Sequence, residues 1–152
     1  MMKDNLNVNV LALCIMISSL ATNFKNKKLK HAIKVGDIKD FKKISIFNIG
    51  EEVEKNKGFF TGRAWVSNLE NIQKGMSNIT LEPKCKTLWR KNDDKYEILI
   101  SVGGIGEYQK ENEKVKQINF GDIIFIEPGE KFWLGANEKS WFNFFSLVVD
   151  KQ

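Results

Sequence analysis

Histidine is almost missing from this chain. Its 152 residues include one, His31, so a metal site built from several imidazoles is excluded, as is a Ser-His or Cys-His nucleophile pair beyond the N-terminal segment. A ligand role for His31 itself would lack a second imidazole, and it reads as a surface or capping side chain. Cysteine is as scarce. Cys14 and Cys85 lie far apart and form neither a close metal-binding pair nor a small disulfide framework. Lys84 and Lys86 flank Cys85, which would favour a thiolate, but no base accompanies it. No repeat of roughly 20–50 residues and no low-complexity tract interrupts the sequence. With 42% hydrophobic and 28% charged residues, the length suits one globular domain and leaves no room for a second.

The formal charge of +5 is unevenly placed. Lys25, Lys27, Lys28, Lys30 and Lys34 are followed by Lys39, Lys42 and Lys43, answered only by Asp37 and Asp40. The remainder is close to neutral. A nucleic-acid surface would call for arginines and interleaved stacking aromatics, and this stretch has no arginine and only Phe24, Phe41 and Phe47. It reads as a solvated helical face and linker, with attachment to an anionic surface as the weaker alternative.

Residues 8–21, apolar from Val8 to Ala21, are too short to span a bilayer with ease. Their length and small-residue end suit the core of an export signal, yet Lys3 is offset by Asp4 and the lysines follow the apolar run rather than precede it. Val10, Leu13, Ile17 and Leu20 recur at helical steps, as one packed face of a helix requires. The charge pattern favours a packed helix in a cytoplasmic protein over an exported one. Membrane insertion is not expected.

From Phe59 onward the pattern becomes strand-like. Phe60, Ala64 and Val66 mark one run, Ile79–Leu81 a second and Tyr96–Val102 a third. Gly103–Gly106 reads as a turn; lying between strands and opening no helix, it is not a phosphate loop. Glu107–Gln109 and Val115–Phe120 flank a polar hairpin tip, and Gly121-Asp122 is the next turn. Ile123–Ile126 reads as a buried strand stopped by Pro128-Gly129. Trp141–Val149 is apolar enough to be covered on both faces. Short strands at regular turn spacing with no βαβ alternation predict a sandwich or barrel.

Two stretches, Pro83–Gly106 and Gly121–Ala136, resemble the paired signature motifs of the cupin superfamily. In the first, the family's leading glycine falls at Lys84, its two histidines at Arg90 and Asn92, its acid at Glu97 and its closing glycine at Gly104. In the second, Gly121-Asp122, Pro128-Gly129 and Phe132-Trp133-Leu134-Gly135-Ala136 follow a pattern in which Phe132 and Leu134 stand at histidine positions. Phe60-Thr61-Gly62-Arg63-Ala64-Trp65 and Thr87-Leu88-Trp89 are similar to small cupins related or fused to carboxymuconolactone decarboxylases. The resemblance covers roughly residues 47–149. It implies a mainly β, double-stranded β-helix (jelly-roll) barrel at 47–152 behind a helical, basic segment at 1–46, and a homodimer.

The resemblance implies an altered site. Of the positions that would hold a metal, Glu97 alone keeps a ligand type, so no metal and no other cofactor is expected. Arg90 would put a fixed positive charge where the cation sits, and is expected to pair with Glu97 or to reach outward to water. Phe132 and Leu134 are either plain barrel core or the apolar wall of a ligand pocket. Trp89 and Trp133 would close its mouth, and Tyr96 and Asn92 would add hydrogen bonds. Asp93 and Asp94 with Glu97 would make an oxygen-rich cation site, although adjacent loop carboxylates are more often solvated. No catalytic residue is assigned. The expected function is a degenerate cupin domain, a non-metal module that binds a small organic acid or serves a structural role. The alternative is a cupin enzyme, an isomerase, lyase or decarboxylase-like catalyst with a remodelled site.

Overall fold

The computed structural model describes Ala12, Ile15, Met16 and residues 37–45, 47–54 and 57–151. Ala12, Ile15 and Met16 are helical and exposed. The apolar stripe at Val10, Leu13, Ile17 and Leu20 lies outside the described residues, as do His31, Cys14 and the lysines from Lys25 to Lys34. No helix among the described residues is long and apolar enough to cross a membrane.

A short helix, α1 (Ile38–Ile44), directly precedes the strands. Asp37 caps it by accepting from Lys39 N, and Ser45 N closes it by donating to Phe41 O. Asp40 in its first turn and Lys42 and Lys43 in its last suit the helix dipole. Phe41 stacks on Trp141 at 5.4 Å, and Trp141 meets Trp65 at the same separation. These rings and Ile49 fasten the helix to the outside of the sheet.

Nine strands follow among the described residues: β1 (Glu51–Glu52), β2 (Ala64–Asn68), β3 (Met76–Leu81), β4 (Lys95–Gly104), β5 (Gly106–Lys110), β6 (Lys116–Ile118), β7 (Ile123–Ile126), β8 (Phe132–Ala136) and β9 (Phe142–Asp150). They form two antiparallel sheets, one in the order β1-β2-β3-β9-β4-β7 and one in the order β6-β5-β8. Residues 85–90 extend the smaller sheet through bridges from Lys86 to Gly135 and from Arg90 to Phe132.

Strand alternation sorts the apolar residues to two sides of the larger sheet. Leu81, Leu99, Ile126, Phe142 and Phe144 point inward to meet Ile118, Phe132 and Leu134 of the smaller sheet. Ile98, Ile100, Val102, Phe145 and Leu147 form a second buried cluster on the outer face. β9 is therefore covered on both sides, as its composition predicts. Asn143 on the outer face would be costly there without partners. Its amide donates to Asn78 Oδ1, Ile79 O and Thr80 Oγ1.

Gly103–Gly106 behaves differently from the predicted turn. β4 runs through Gly104 and β5 resumes at Gly106, so a single residue separates the two and the chain passes from one sheet to the other. Gly104 has a φ of 73°, and a Cβ there would lie 1.7 Å from Trp141 O. Only glycine fits this crossover.

Candidate functional site

The site begins with alternation along two neighbouring strands. Glu97 on β4 pairs with Val148 on β9, and Leu99 pairs with Ser146. Glu97 and Ser146 are therefore diagonal neighbours on the inward face, within side-chain reach. Ser146 Oγ donates to Glu97 Oε1 at 2.7 Å. Arg90 arrives from the other sheet: its backbone exchanges hydrogen bonds with Phe132 on β8, which fixes its position opposite Glu97. Its Nη1 donates to Glu97 Oε2 at 2.7 Å and its Nη2 to Glu97 Oε1 at 2.6 Å. The guanidinium lies 4.6 Å from the centre of the Phe132 ring.

This is a fork-to-fork pair, the strongest arrangement open to an arginine and a carboxylate. Glu97 is 1% exposed, while the Arg90 side chain retains 36% of its accessible surface. The pair is thus dry on one side and wet on the other.

Above the pair opens a pocket of about 600 Å³. Val66 of β2, Ile79 of β3 and Phe144 and Val148 of β9 form its apolar floor, and Phe60 and Trp89 flank it. Its polar groups are few: Arg90, Glu97, Ser146, Thr87 and, from an exposed rim position, Lys57. Thr87 Oγ1 accepts from Leu134 N. Phe59, Leu88 and Trp89 leave much of their apolar surface uncovered around the opening. Concave apolar walls with a few placed polar groups are the usual form of a small-molecule site.

The structure brings together only some of the residues singled out from sequence. Arg90, Glu97, Phe132 and Trp89 gather at the pocket or directly beneath it. Leu134 is fully buried in the inner core. Trp133 points to the opposite side of β8, where its Nε1 donates to Gln109 Oε1 and its ring meets Trp89 edge-on at 6.4 Å. Tyr96 precedes Glu97 on β4, so alternation turns it to the outer face and away from the pocket. Asn92 is not part of the lining either; its carbonyl accepts from Gly129 N. Ser146 and the β2, β3 and β9 walls were not identified from sequence. A lone serine at inward register between Phe144 and Val148 is the signal that would have found it.

Two weaker expectations are settled by geometry. Asp93 is exposed and pairs with Lys91 at 2.8 Å rather than joining Glu97. Among the described residues no cluster of three or more His, Cys, Asp or Glu can hold a metal ion. Cys85 is 2% exposed, and burial pushes its thiol up to about 11. It is a packed core thiol, contrary to the activated cysteine that its lysine neighbours suggested.

Comparisons with known proteins agree with this fold. A cupin-like protein of Thermotoga maritima superposes with a TM-score of 0.61 and 27% sequence identity, over 70% of this chain and 80% of that one. The chain has the cupin fold. A predicted oxalate decarboxylase of the same organism superposes with a TM-score of 0.58 at 20% identity, over 68% of this chain and 94% of that one. In sequence, 60 residues are 37% identical to an (R)-mandelonitrile lyase of Granulicella tundricola, covering 40% of this chain and 45% of that protein. The chain thus spans under half the length of that curated relative. No family model matches the sequence.

Cupin barrels bind metals where the two motifs meet, and the residues here do not fit one. Arg90 places its cationic nitrogens on both oxygens of Glu97, the one carboxylate that could ligate, and Phe132 and Leu134 contribute no donor atoms.

Proposed function

We propose that this cupin barrel is a metal-independent binding module that takes a small organic molecule into the pocket between β2, β3 and β9. The observation that carries the reading is the bidentate Arg90–Glu97 pair, which occupies the meeting point of the two motifs with an internal ion pair. The reading extends to a cytoplasmic homodimer: the charge balance around residues 8–21 supports the first part and the family resemblance the second.

The test has two arms. Elemental analysis of protein grown with Fe, Mn, Zn and Ni is expected to find metal far below one per chain. Ligand-observed NMR with small organic fragments is expected to detect binders that Val148→Trp, which fills the pocket, no longer recognises. Stoichiometric metal that Glu97→Gln releases would sink the reading, as would fragments that bind the filled variant equally well.

A second reading is favoured by the 37% identity with the mandelonitrile lyase segment: a lyase or related enzyme acting on a small organic compound. Glu97 faces the pocket, but both its oxygens already accept hydrogen bonds, so proton transfer would require it to release a partner. Turnover that disappears in Glu97→Gln, while the fold is retained, would establish this reading over the first.

A further inference from the structure

The ion pair at the base of the pocket also has consequences for which molecules can enter. An unpaired arginine in an apolar pocket would draw in a carboxylate or phosphate. Arg90 is not in that state, because both of its terminal nitrogens are held by Glu97 at 2.6–2.7 Å, leaving the buried end of the pocket without net charge. A ligand carboxylate could either meet the N–H groups that remain on a guanidinium whose charge Glu97 already neutralises, or displace the Glu97 carboxylate. That carboxylate is 1% exposed, and without Arg90 it would keep only the Ser146 hydroxyl. An exchange that strands a buried charge disfavours the anion. Among the described residues the other cation lining the pocket is Lys57, which is exposed at the rim, where water and salt screen it.

The remaining features suit a neutral guest. Phe60, Trp89 and Phe144 give the pocket aromatic walls, and flat rings gain from offset or edge-on contact with such walls beyond their buried area. Thr87 lines the pocket, and its hydroxyl accepts from Leu134 N. Its own O–H proton has no acceptor among the described residues and remains available for one on the guest.

We infer that the pocket selects a neutral aromatic molecule carrying a hydrogen-bond acceptor and discriminates against the corresponding carboxylate, with the Arg90–Glu97 pair as the discriminating element. This rests on the binding-module reading above, and it departs from the small organic acid expected from sequence. Glu97 then acts as a specificity residue: it keeps Arg90 from serving as an anion clamp.

The experiment is a calorimetric titration of the full-length protein with benzamide, benzyl alcohol and benzoate, which share one ring and differ in charge and polar group. Benzamide and benzyl alcohol are expected to bind at least about ten-fold more tightly than benzoate, a difference of about 1.4 kcal/mol. Glu97→Gln removes the counter-charge while keeping the shape, and is expected to tighten benzoate binding about ten-fold, so that the preference for benzamide over benzoate largely disappears. A thermal melt checks that this variant folds; if it does not, the wild-type comparison still decides the matter. Benzoate binding as tightly as benzamide to the wild type overturns the charge discrimination while the pocket reading stands. Binding by none of the three, together with fragments that ignore Val148→Trp, overturns both.

Discussion

Arg90 and Glu97 meet end to end across the inside of the barrel, each nitrogen of the guanidinium fork within 2.7 Å of one carboxylate oxygen. They come from different sheets, Glu97 from β4 and Arg90 from the segment beside β8. The pair therefore links the two halves of the barrel at the point where related barrels bind a metal.

A double-mutant cycle measures that link. Arg90→Met leaves Glu97 buried without its partner and is expected to cost about 3 kcal/mol, toward the low end for broken buried pairs because water reaches Arg90. Glu97→Leu strands a half-exposed arginine and should cost less. The double variant Arg90→Met/Glu97→Leu should recover most of the loss, since a buried ion pair is often replaceable by apolar groups of similar volume. Urea denaturation curves check this; losses that simply add would mean the two groups do not stabilise each other.

Ser146 depends on the same pair. Its hydroxyl donates to Glu97 Oε1 at 2.7 Å, a hydrogen bond to a buried charge, so Ser146→Ala is expected to cost about 2 kcal/mol. Placed on the Glu97→Leu background, the same substitution should cost almost nothing, because its acceptor is gone. Equal costs on both backgrounds would show that Ser146 stabilises the strand by some other contact.

Much of the fold could be read in the sequence because strand spacing and turn residues report backbone geometry directly. Gly121-Asp122 and Pro128-Gly129 bracket β7 where expected, and the apolar density of Trp141–Val149 anticipated a strand buried on both faces. The pairing of Arg90 with Glu97 could be anticipated too, because both fall at positions that converge in the resembling family. The misplacements have physical sources that can be named. Tyr96 and Trp133 are each adjacent in sequence to a residue that faces the interior, and in a strand adjacency means opposite faces. Asn92 lies where no strand continues, so alternation from Arg90 does not carry it inward. The pocket walls come from β2, β3 and β9, whose contribution depends on long-range pairing that local pattern does not encode.

Lys84 preserves a glycine's backbone without being glycine. It stands where the family motif has its leading glycine, and its φ is 71°, a conformation that strains residues bearing a Cβ. Lys84→Gly relieves that strain at the cost of a more flexible unfolded chain, so the net change is expected to stay within about 1 kcal/mol. Lys84→Val adds a β-branch in the same conformation and should destabilise by more than about 1 kcal/mol. Thermal melts of the two variants test the pair of expectations, and a well-tolerated valine would mean that the loop shifts to a negative φ.

Cys85 supplies a prediction about pH. Burial raises its thiol from an ordinary value of 9.0 to about 11, so the folded protein holds this proton more tightly than the unfolded chain does. The resulting stability is fully present below about pH 9 and is lost as pH rises through about 11, because the unfolded thiol ionises first. Two pK units correspond to a ceiling of about 3 kcal/mol. Lysines and tyrosines titrate in the same window, so the wild type must be compared with Cys85→Ala. Its advantage over that variant should shrink between pH 9 and pH 11 in urea melts. At pH 8 the Cys85 peptide is expected to resist iodoacetamide in the folded protein and to react once unfolded, as peptide mass mapping would report. Rapid alkylation in the native state would contradict the packing of Cys85 against Gly62, whose Cα would carry an added Cβ only 3.1 Å from Cys85 Cβ.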